Sequence, residues 1–132
     1  MKFWLLGTEK DKHVGDEILA SSGSSGVVNL MGLTDLPELM ELLKISNLLF
    51  TNDSGPMHFA AALGIPTISL FGPTDPDKTG PFGKNHKVFQ SQEKCSPCFQ
   101  KKCPLERQLC LFDVINSSVV ADFILKIINQ SK

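Results

Sequence analysis

Short apolar segments alternate with amphipathic segments over the first 90 residues, and this alternation restricts the fold more than any other feature. Continuous apolar runs are typical of strands that are buried on both faces. Strands and helices that alternate at this spacing imply parallel strands joined by right-handed crossovers. The sequence therefore predicts an α/β fold, a three-layer sandwich around a parallel sheet. The predicted strands are Phe3–Leu6, Val27–Met31, Leu48–Thr51, Thr67–Gly72 and a further short one, His86–Gln90.

The helix start at Asp35 has the strongest local signals. Asp35 can cap the helix, Pro37 lies in the first turn where its missing N–H is tolerated, and Glu38 follows the cap by three residues. Apolar side chains then recur on one helical face at Leu36, Leu39, Met40 and Leu43. The other predicted helices are Lys10–Ser21, Met57–Leu63 and Ser117–Ile128, the last capped by Asn116, and loops are predicted at 21–26 and 73–86.

Composition narrows the class of protein. The chain has 132 residues, which suits one domain. Hydrophobic residues make up 42% and the formal net charge is −1, which excludes a disordered tail and a polybasic nucleic-acid arm. No apolar stretch approaches the ~18 residues of a membrane span, and the run after Met1 is too short for a signal peptide. We therefore expect a cytoplasmic protein. Because the first strand starts almost at Met1, we also expect this chain to be the back part of a larger fold.

The segment Thr51–His58, between the third predicted strand and the next helix, is the strongest candidate for a binding site. Ligands of open parallel sheets bind beyond the carboxyl ends of the strands. Gly55 lets a ligand approach the backbone, and the helix start directs unpaired N–H groups and a positive dipole end outward. Ser54 could then hold phosphate oxygens, Asp53 could accept from sugar hydroxyls, and His58 could donate to either. The alternative, in which Asp53 or Ser54 only caps the helix and His58 is a surface residue, stays open on spacing alone.

Several stretches of the sequence together resemble a known family. The most specific are Asp53–His58 (DSGPMH), Ala61–Pro66 (AALGIP) and Phe71–Pro76 (FGPTDP). They resemble glycosyltransferase family 9, the ADP-heptose:lipopolysaccharide heptosyltransferases. The similarity extends to Gly32–Leu39, Thr79–Gly83 and Cys95–Cys98, the last two most like the heptosyltransferase II branch.

The resemblance implies the C-terminal half of a two-domain GT-B fold, a Rossmann-like domain that binds the sugar donor. We expect residues 1–132 to form a single donor-binding domain, without the N-terminal acceptor domain and without the first strand of the donor domain. The family's catalytic aspartate and its phosphate-binding lysine belong to those missing parts. No catalytic residue is therefore assigned in this chain.

The resemblance also implies roles in donor binding. Asp53 and His58 would contact the heptose, while Ser54 and Gly55 would hold the diphosphate. Met57 belongs to the same donor-binding segment. In each case the role is carried over by position within the DSGPMH motif.

Three further positions complete the implied donor site. Leu33 and Thr34 would lie near the adenine, and Asp11 would bind the ribose. The implied reaction is inverting transfer of heptose from ADP-heptose to the lipopolysaccharide inner core, with no cofactor. The implied partners are that donor and the lipopolysaccharide core acceptor, which would bind through the missing domain. No nucleic acid is implied. Peripheral association with the inner membrane is left open.

We expect the isolated chain to be inactive, and a second function is weighed beside the transferase. The chain could be a non-catalytic nucleotide-sugar binding or assembly module, such as half of a split enzyme. A response-regulator receiver is a poor match, because it needs acidic residues after its first strand and a lysine after its last core strand. Here those positions read Gly7–Glu9 and Gly72–Thr74.

Four cysteines fall within one short segment, the cysteine-containing loop 95–110. Their spacing is C-x2-C-x4-C-x6-C, at Cys95, Cys98, Cys103 and Cys110. Four thiolates this close could bind a tetrahedral zinc ion. Disulfides are disfavoured in a reducing cytosol. Thiols packed in a loop are the third interpretation, and the family resemblance implies no metal.

Overall fold

The computed structural model describes residues 1–105, 110 and 117–130. The chain divides into two compact units, Met1–Leu42 and Leu43–Lys132. Each unit is described here by itself. None of the described helices is long and apolar enough to cross a membrane.

The first unit contains a two-stranded parallel sheet. Strands β1 and β2 pair with Phe3 opposite Val27 and Leu5 opposite Asn29. Helix α1 ends where Gly23 adopts a left-handed backbone conformation, φ 56°, which glycine tolerates without strain. The elements are β1 (Phe3–Leu5), a 3-10 turn (Glu9–Asp11), α1 (Lys12–Ser22) and β2 (Val27–Asn29).

Helix α1 is fixed against β2 by one close contact and one polar side chain. Gly15 is buried, and a Cβ at this position would overlap the side chain of Asn29. The side-chain nitrogen Nδ2 of Asn29 donates to the backbone carbonyl of Lys12 at 3.1 Å and to Oδ1 of Asp16 at 2.8 Å. The absence of a side chain at Gly15 therefore leaves room for the amide that joins strand to helix.

Helix α2 (Leu36–Lys44) starts where its sequence signals predict. The Glu38 backbone N–H donates to Oδ1 of Asp35 at 2.8 Å, and the Asp35 backbone N–H donates to Oε2 of Glu38 at 2.9 Å. This reciprocal pair is a capping box, and it confirms the predicted cap. Leu43, near the end of the helix, is fully buried.

The second unit contains a three-stranded parallel sheet in the order β3-β4-β5. The central strand β4 is buried along its whole length, including its two polar residues Thr67 and Ser69. The Phe123 ring on the last helix meets the Phe89 ring of β5 edge to face at 5.9 Å. The elements are β3 (Leu49–Asn52), α3 (Gly55–Ala62), β4 (Thr67–Phe71), α4 (Pro76–Thr79), β5 (His86–Gln90) and α5 (Ser117–Gln130).

The predicted α/β class with parallel strands is confirmed. The hydrogen-bonded strands form two sheets, of two and three strands, within the described parts of the chain. Helix boundaries move by a few residues from the predictions. The predicted loop 73–86 contains the four-residue helix α4, and the predicted cap Asn116 lies outside the described residues.

Candidate functional site

The carboxyl ends of β3 and β4 form one edge of the second unit. The two strands are parallel, with Asn52 opposite Leu70, so the loops that follow them emerge side by side. Asp53 and Ser54 follow β3, and the segment 72–75 follows β4. This is the edge at which parallel sheets bind ligands. We take the residues at this edge as the candidate site.

Ser54 is the N-cap residue of α3, yet its side chain does not cap the helix. Its backbone is extended, with φ −155° and ψ 163°, and its carbonyl accepts from the Met57 N–H at 3.1 Å. Its hydroxyl oxygen lies 3.0 Å from the Thr51 hydroxyl oxygen, and either group can donate. The first turn of α3 therefore keeps N–H groups that no capping side chain occupies, together with the positive end of the helix dipole.

Open space lies over this first turn. A Cβ built on Gly55 would meet nothing within 4 Å, so the position does not need glycine for packing inside the folded chain. His58 lies one turn into the helix with its side chain exposed. Gly55 and His58 are thus both exposed to solvent near the start of α3.

The Met57 side chain is 0% exposed and belongs to the core. The predicted role of Met57 in donor binding stays a prediction, and it would fall to the backbone because the side chain is buried. The physical reason for this burial is helical spacing: Met57 and Ala60, three residues apart, form the buried face of α3. His58 is rotated by about 100° from Met57, which brings its side chain to the surface.

Asp53 is held by a residue that the sequence analysis missed. Its Oδ2 atom accepts a hydrogen bond from the Thr79 hydroxyl at 3.0 Å. Thr79 is the last residue of α4, which follows β4. The signal for α4 was present in the sequence, as a capping Asp75 before Pro76, but it fell in a segment predicted as a loop.

The predicted adenosine-binding residues lie in the first unit, at the carboxyl ends of β1 and β2. Asp11 follows β1, while Leu33 and Thr34 follow β2. The Gly32 N–H donates to the Gly7 carbonyl at 3.0 Å, which joins the two loops. Leu33 is 60% exposed and offers an apolar surface.

The Asp11 carboxylate already accepts two hydrogen bonds. The Thr8 hydroxyl donates to Oδ2 at 2.7 Å and the Thr8 backbone N–H donates to the same atom at 2.8 Å. These bonds, the hydroxyl first, hold the pKa of the Asp11 carboxyl below its ordinary value. Asp11 is therefore an ionised acceptor at neutral pH.

The residues predicted to bind the donor thus form two groups, one in each unit. Each group lies at the carboxyl edge of its own parallel sheet. That the two groups meet on one ligand stays a prediction.

Residues 1–109 match the family model for glycosyltransferase family 9 (heptosyltransferase). The chain belongs to this family. Lipooligosaccharide heptosyltransferase 2 of Campylobacter jejuni is 37% identical over 95 residues, which are 71% of this chain and 30% of that relative. Lipopolysaccharide heptosyltransferase 2 of Salmonella typhimurium is 40% identical over 89 residues, 65% of this chain and 26% of that protein.

A solved structure of the same family has the same fold. It is the ADP-heptose lipopolysaccharide heptosyltransferase II of E. coli, with a TM-score of 0.76 and 28% identity, covering 99% of this chain and 38% of that one. The family resemblance predicted from the DSGPMH, AALGIP and FGPTDP motifs is confirmed. This family-9 chain spans about a third of the length of the relatives that it matches.

The four cysteines line one cavity of about 150 Å³, together with Pro73 and other residues of the loop. All four are thiols. Burial raises the pKa of the Cys110 thiol, and the other three cysteines raise it further, Cys103 the most. Across residues 1–105, 110 and 117–130, no three His, Cys, Asp or Glu side chains are arranged as a metal site. Zinc binding remains one of the three interpretations of the cysteines, and metal analysis of protein purified without added zinc tests it: a ratio near zero per chain would remove it.

Proposed function

We propose that this chain is the donor-binding, C-terminal portion of a GT-B heptosyltransferase, which binds ADP-heptose for transfer of heptose to the lipopolysaccharide inner core. Membership of family 9 supports the reaction class. One structural observation carries the donor site: the first turn of α3 lies at the carboxyl edge of a parallel sheet, without a capping side chain and with open space over Gly55.

The diphosphate of the donor is assigned to this first turn. Its amides and the positive end of the helix dipole favour a dianion. The single proton of the Thr51 hydroxyl can go to the Asn52 carbonyl oxygen at 3.1 Å or to the Ser54 hydroxyl oxygen at 3.0 Å. When it goes to Ser54, the Ser54 proton is available to a phosphate oxygen. Negative charge grows on the departing ADP as the glycosidic bond breaks, so fixed amides here stabilise the transition state more than the ground state. This positive field needs no cofactor.

The sugar is assigned to Asp53 and His58, which flank Gly55 in the chain. The carboxylate of Asp53 can accept from heptose hydroxyls, and the exposed His58 ring can donate to a hydroxyl or phosphate oxygen. The His58 side chain is exposed, so its ring is accessible to the donor.

The adenosine is assigned to the first unit. Leu33 offers its exposed side chain to the adenine face, with Thr34 beside it. Both Thr8 bonds go to Oδ2 of Asp11, so Oδ1 can accept from a ribose hydroxyl.

The acceptor and the catalytic base are assigned to a part of the family-9 architecture outside these 132 residues, its N-terminal domain. We therefore expect the chain alone to bind donor and to transfer no sugar. The acceptor is the lipopolysaccharide core, reached through that domain, and the protein is expected in the cytoplasm. The second candidate, a binding module that works as half of a split enzyme, uses the same site. It would be supported by stable association with a separately expressed N-terminal half.

The test is a titration of the chain with ADP-heptose, followed by amide NMR and calorimetry. We expect saturable binding, with the largest shifts in the amides of residues 53–58 and a second set near residues 11 and 33–34. A nucleotide sugar with a different base serves as the control ligand. Unmoved amides at 53–58 would remove the donor assignment, and sugar transfer by the purified chain would contradict the predicted inactivity.

A further inference from the structure

We propose that Thr79 is a positioning residue that orients the Asp53 carboxylate toward the sugar of the donor. The proposal rests on the proposed function, because Asp53 needs a defined orientation only if its carboxylate hydrogen-bonds to a ligand. Thr79 lies 26 residues after Asp53 and on a different loop. It would therefore set sugar recognition from outside the DSGPMH segment.

The Thr79 hydroxyl has one proton and two acceptors within reach. Oδ2 of Asp53 is 3.0 Å away and the backbone carbonyl oxygen of Asp75 is 3.2 Å away. A carboxylate is the stronger acceptor, because hydrogen bonds to a charged group are shorter and stronger than bonds to a neutral carbonyl. The proton is therefore assigned to Asp53. This bond engages Oδ2 and leaves Oδ1 for a hydroxyl of the donor.

Helix α4 gives Thr79 a fixed position. The Asp77 N–H donates to Oδ1 of Asp75 at 3.0 Å, which caps the helix, and the Thr79 N–H donates to the Asp75 carbonyl at 3.0 Å. The Gly80 N–H donates to the Pro76 carbonyl at 2.8 Å, and a Cβ on Gly80 would clash with that same oxygen. Hydrogen bonds thus hold both ends of this short helix, and they fix the backbone that carries the Thr79 side chain.

The neighbouring strands bring this fixed side chain to Asp53. Strands β3 and β4 are parallel and adjacent, so the loop with Asp53 and the loop with α4 leave the same edge. A carboxylate in solution rotates freely about its side-chain torsions. The bond from Thr79 restricts that rotation, so less orientational freedom is lost when a sugar hydroxyl binds.

The test compares two ligands, ADP-heptose and ADP, on the same variants. Thr79→Val removes the hydroxyl and keeps the side-chain shape. We expect it to weaken ADP-heptose binding by about three- to tenfold and to leave ADP binding unchanged, because ADP has no heptose for Asp53 to contact. Thr79→Ser, which keeps the hydroxyl, should restore most of the ADP-heptose affinity.

A second threonine provides the matched control. The Thr67 hydroxyl donates to the Ile65 carbonyl at 3.0 Å, at the opposite end of β4 from the site. Thr67→Val also removes one hydroxyl hydrogen bond, and we expect it to leave the affinity for each ligand unchanged. In an Asp53→Asn background, Thr79→Val should have a smaller effect than in the original chain, because the two residues act through one contact.

The outcomes separate the two proposals. If the unmodified chain binds neither ADP nor ADP-heptose, the proposed function fails and the role of Thr79 fails with it. If the unmodified chain binds ADP-heptose and Thr79→Val binds it equally well, only the role of Thr79 is overturned. An equal loss for both ligands also overturns it, since that result marks a structural effect. If Thr79→Val does not fold, Thr79→Ala is measured against the same criteria.

Discussion

Replacement of Gly55 by alanine should move stability and donor affinity in opposite directions. The Gly55 backbone is helical, and the added Cβ would meet nothing within 4 Å in the free chain. Alanine restricts the unfolded chain and favours helix, so the free energy of unfolding should rise by about 0.5 kcal/mol. The same Cβ points into the space that the proposal assigns to the diphosphate. Donor affinity should therefore fall at least about tenfold, which is about 1.4 kcal/mol.

Gly64 gives the matched control at the other end of α3. A Cβ there would also meet nothing within 4 Å, but φ is +74°, a conformation that alanine adopts only with strain. Gly64→Ala should thus lower the free energy of unfolding by about 1 kcal/mol and leave the donor affinity of the folded chain unchanged. Urea denaturation and calorimetric titration with ADP-heptose measure both quantities. A Gly55→Ala variant that is folded and binds ADP-heptose normally would refute the placement of the diphosphate at this helix start.

Three further perturbations test other contacts. Asp35→Ala removes the cap of α2 and should lower the free energy of unfolding by about 1 kcal/mol in urea denaturation; no change would contradict the capping box. Thr8→Val removes the hydroxyl bond to Asp11, so the pKa of Asp11 should rise in an NMR titration. In the original chain this bond stabilises the fold at a pH above the ordinary carboxyl pKa. That stabilisation is lost as the pH falls through the lowered pKa of Asp11. Cys110, whose thiol pKa is raised, should react with iodoacetamide more slowly than the exposed Cys95 at neutral pH, and the gap should narrow in alkali; equal rates at neutral pH would contradict this.

Elements with signals in neighbouring residues were predictable from sequence. The α2 cap needs only Asp35 and Glu38 three residues apart, and both bonds are present. The central strand β4 lies within the predicted strand Thr67–Gly72. The short helix α4 was missed because a four-residue helix buries no apolar face, so the period that reveals longer helices is absent.

The site was predictable in part, for a related reason. The place of Asp53, Ser54 and Gly55 follows from a strand, a turn and a helix start in succession. The bond between Thr79 and Asp53 depends on the register of two strands, which no local pattern encodes. The burial of Met57 could have been found, because its spacing from Ala60 marks the inner face of α3. All residues of the DSGPMH motif were considered for donor binding, but helical geometry places Met57 on the buried face of α3 and His58 on the exposed face.

The starts of α2, α3 and α4 differ in whether a side chain caps the first turn. At α2 and α4 an aspartate side chain accepts a backbone N–H of the first turn, with Asp35 in one and Asp75 in the other. At α3 the cap is Ser54, a residue type able to do the same, but its hydroxyl meets Thr51 and makes no capping bond. A side-chain cap is worth about 1 kcal/mol, so the chain forgoes that stabilisation at one of the three. An external anion would satisfy the same N–H groups. The start of α3 thus leaves first-turn N–H groups to an acceptor from outside the chain, as expected if the donor diphosphate completes it.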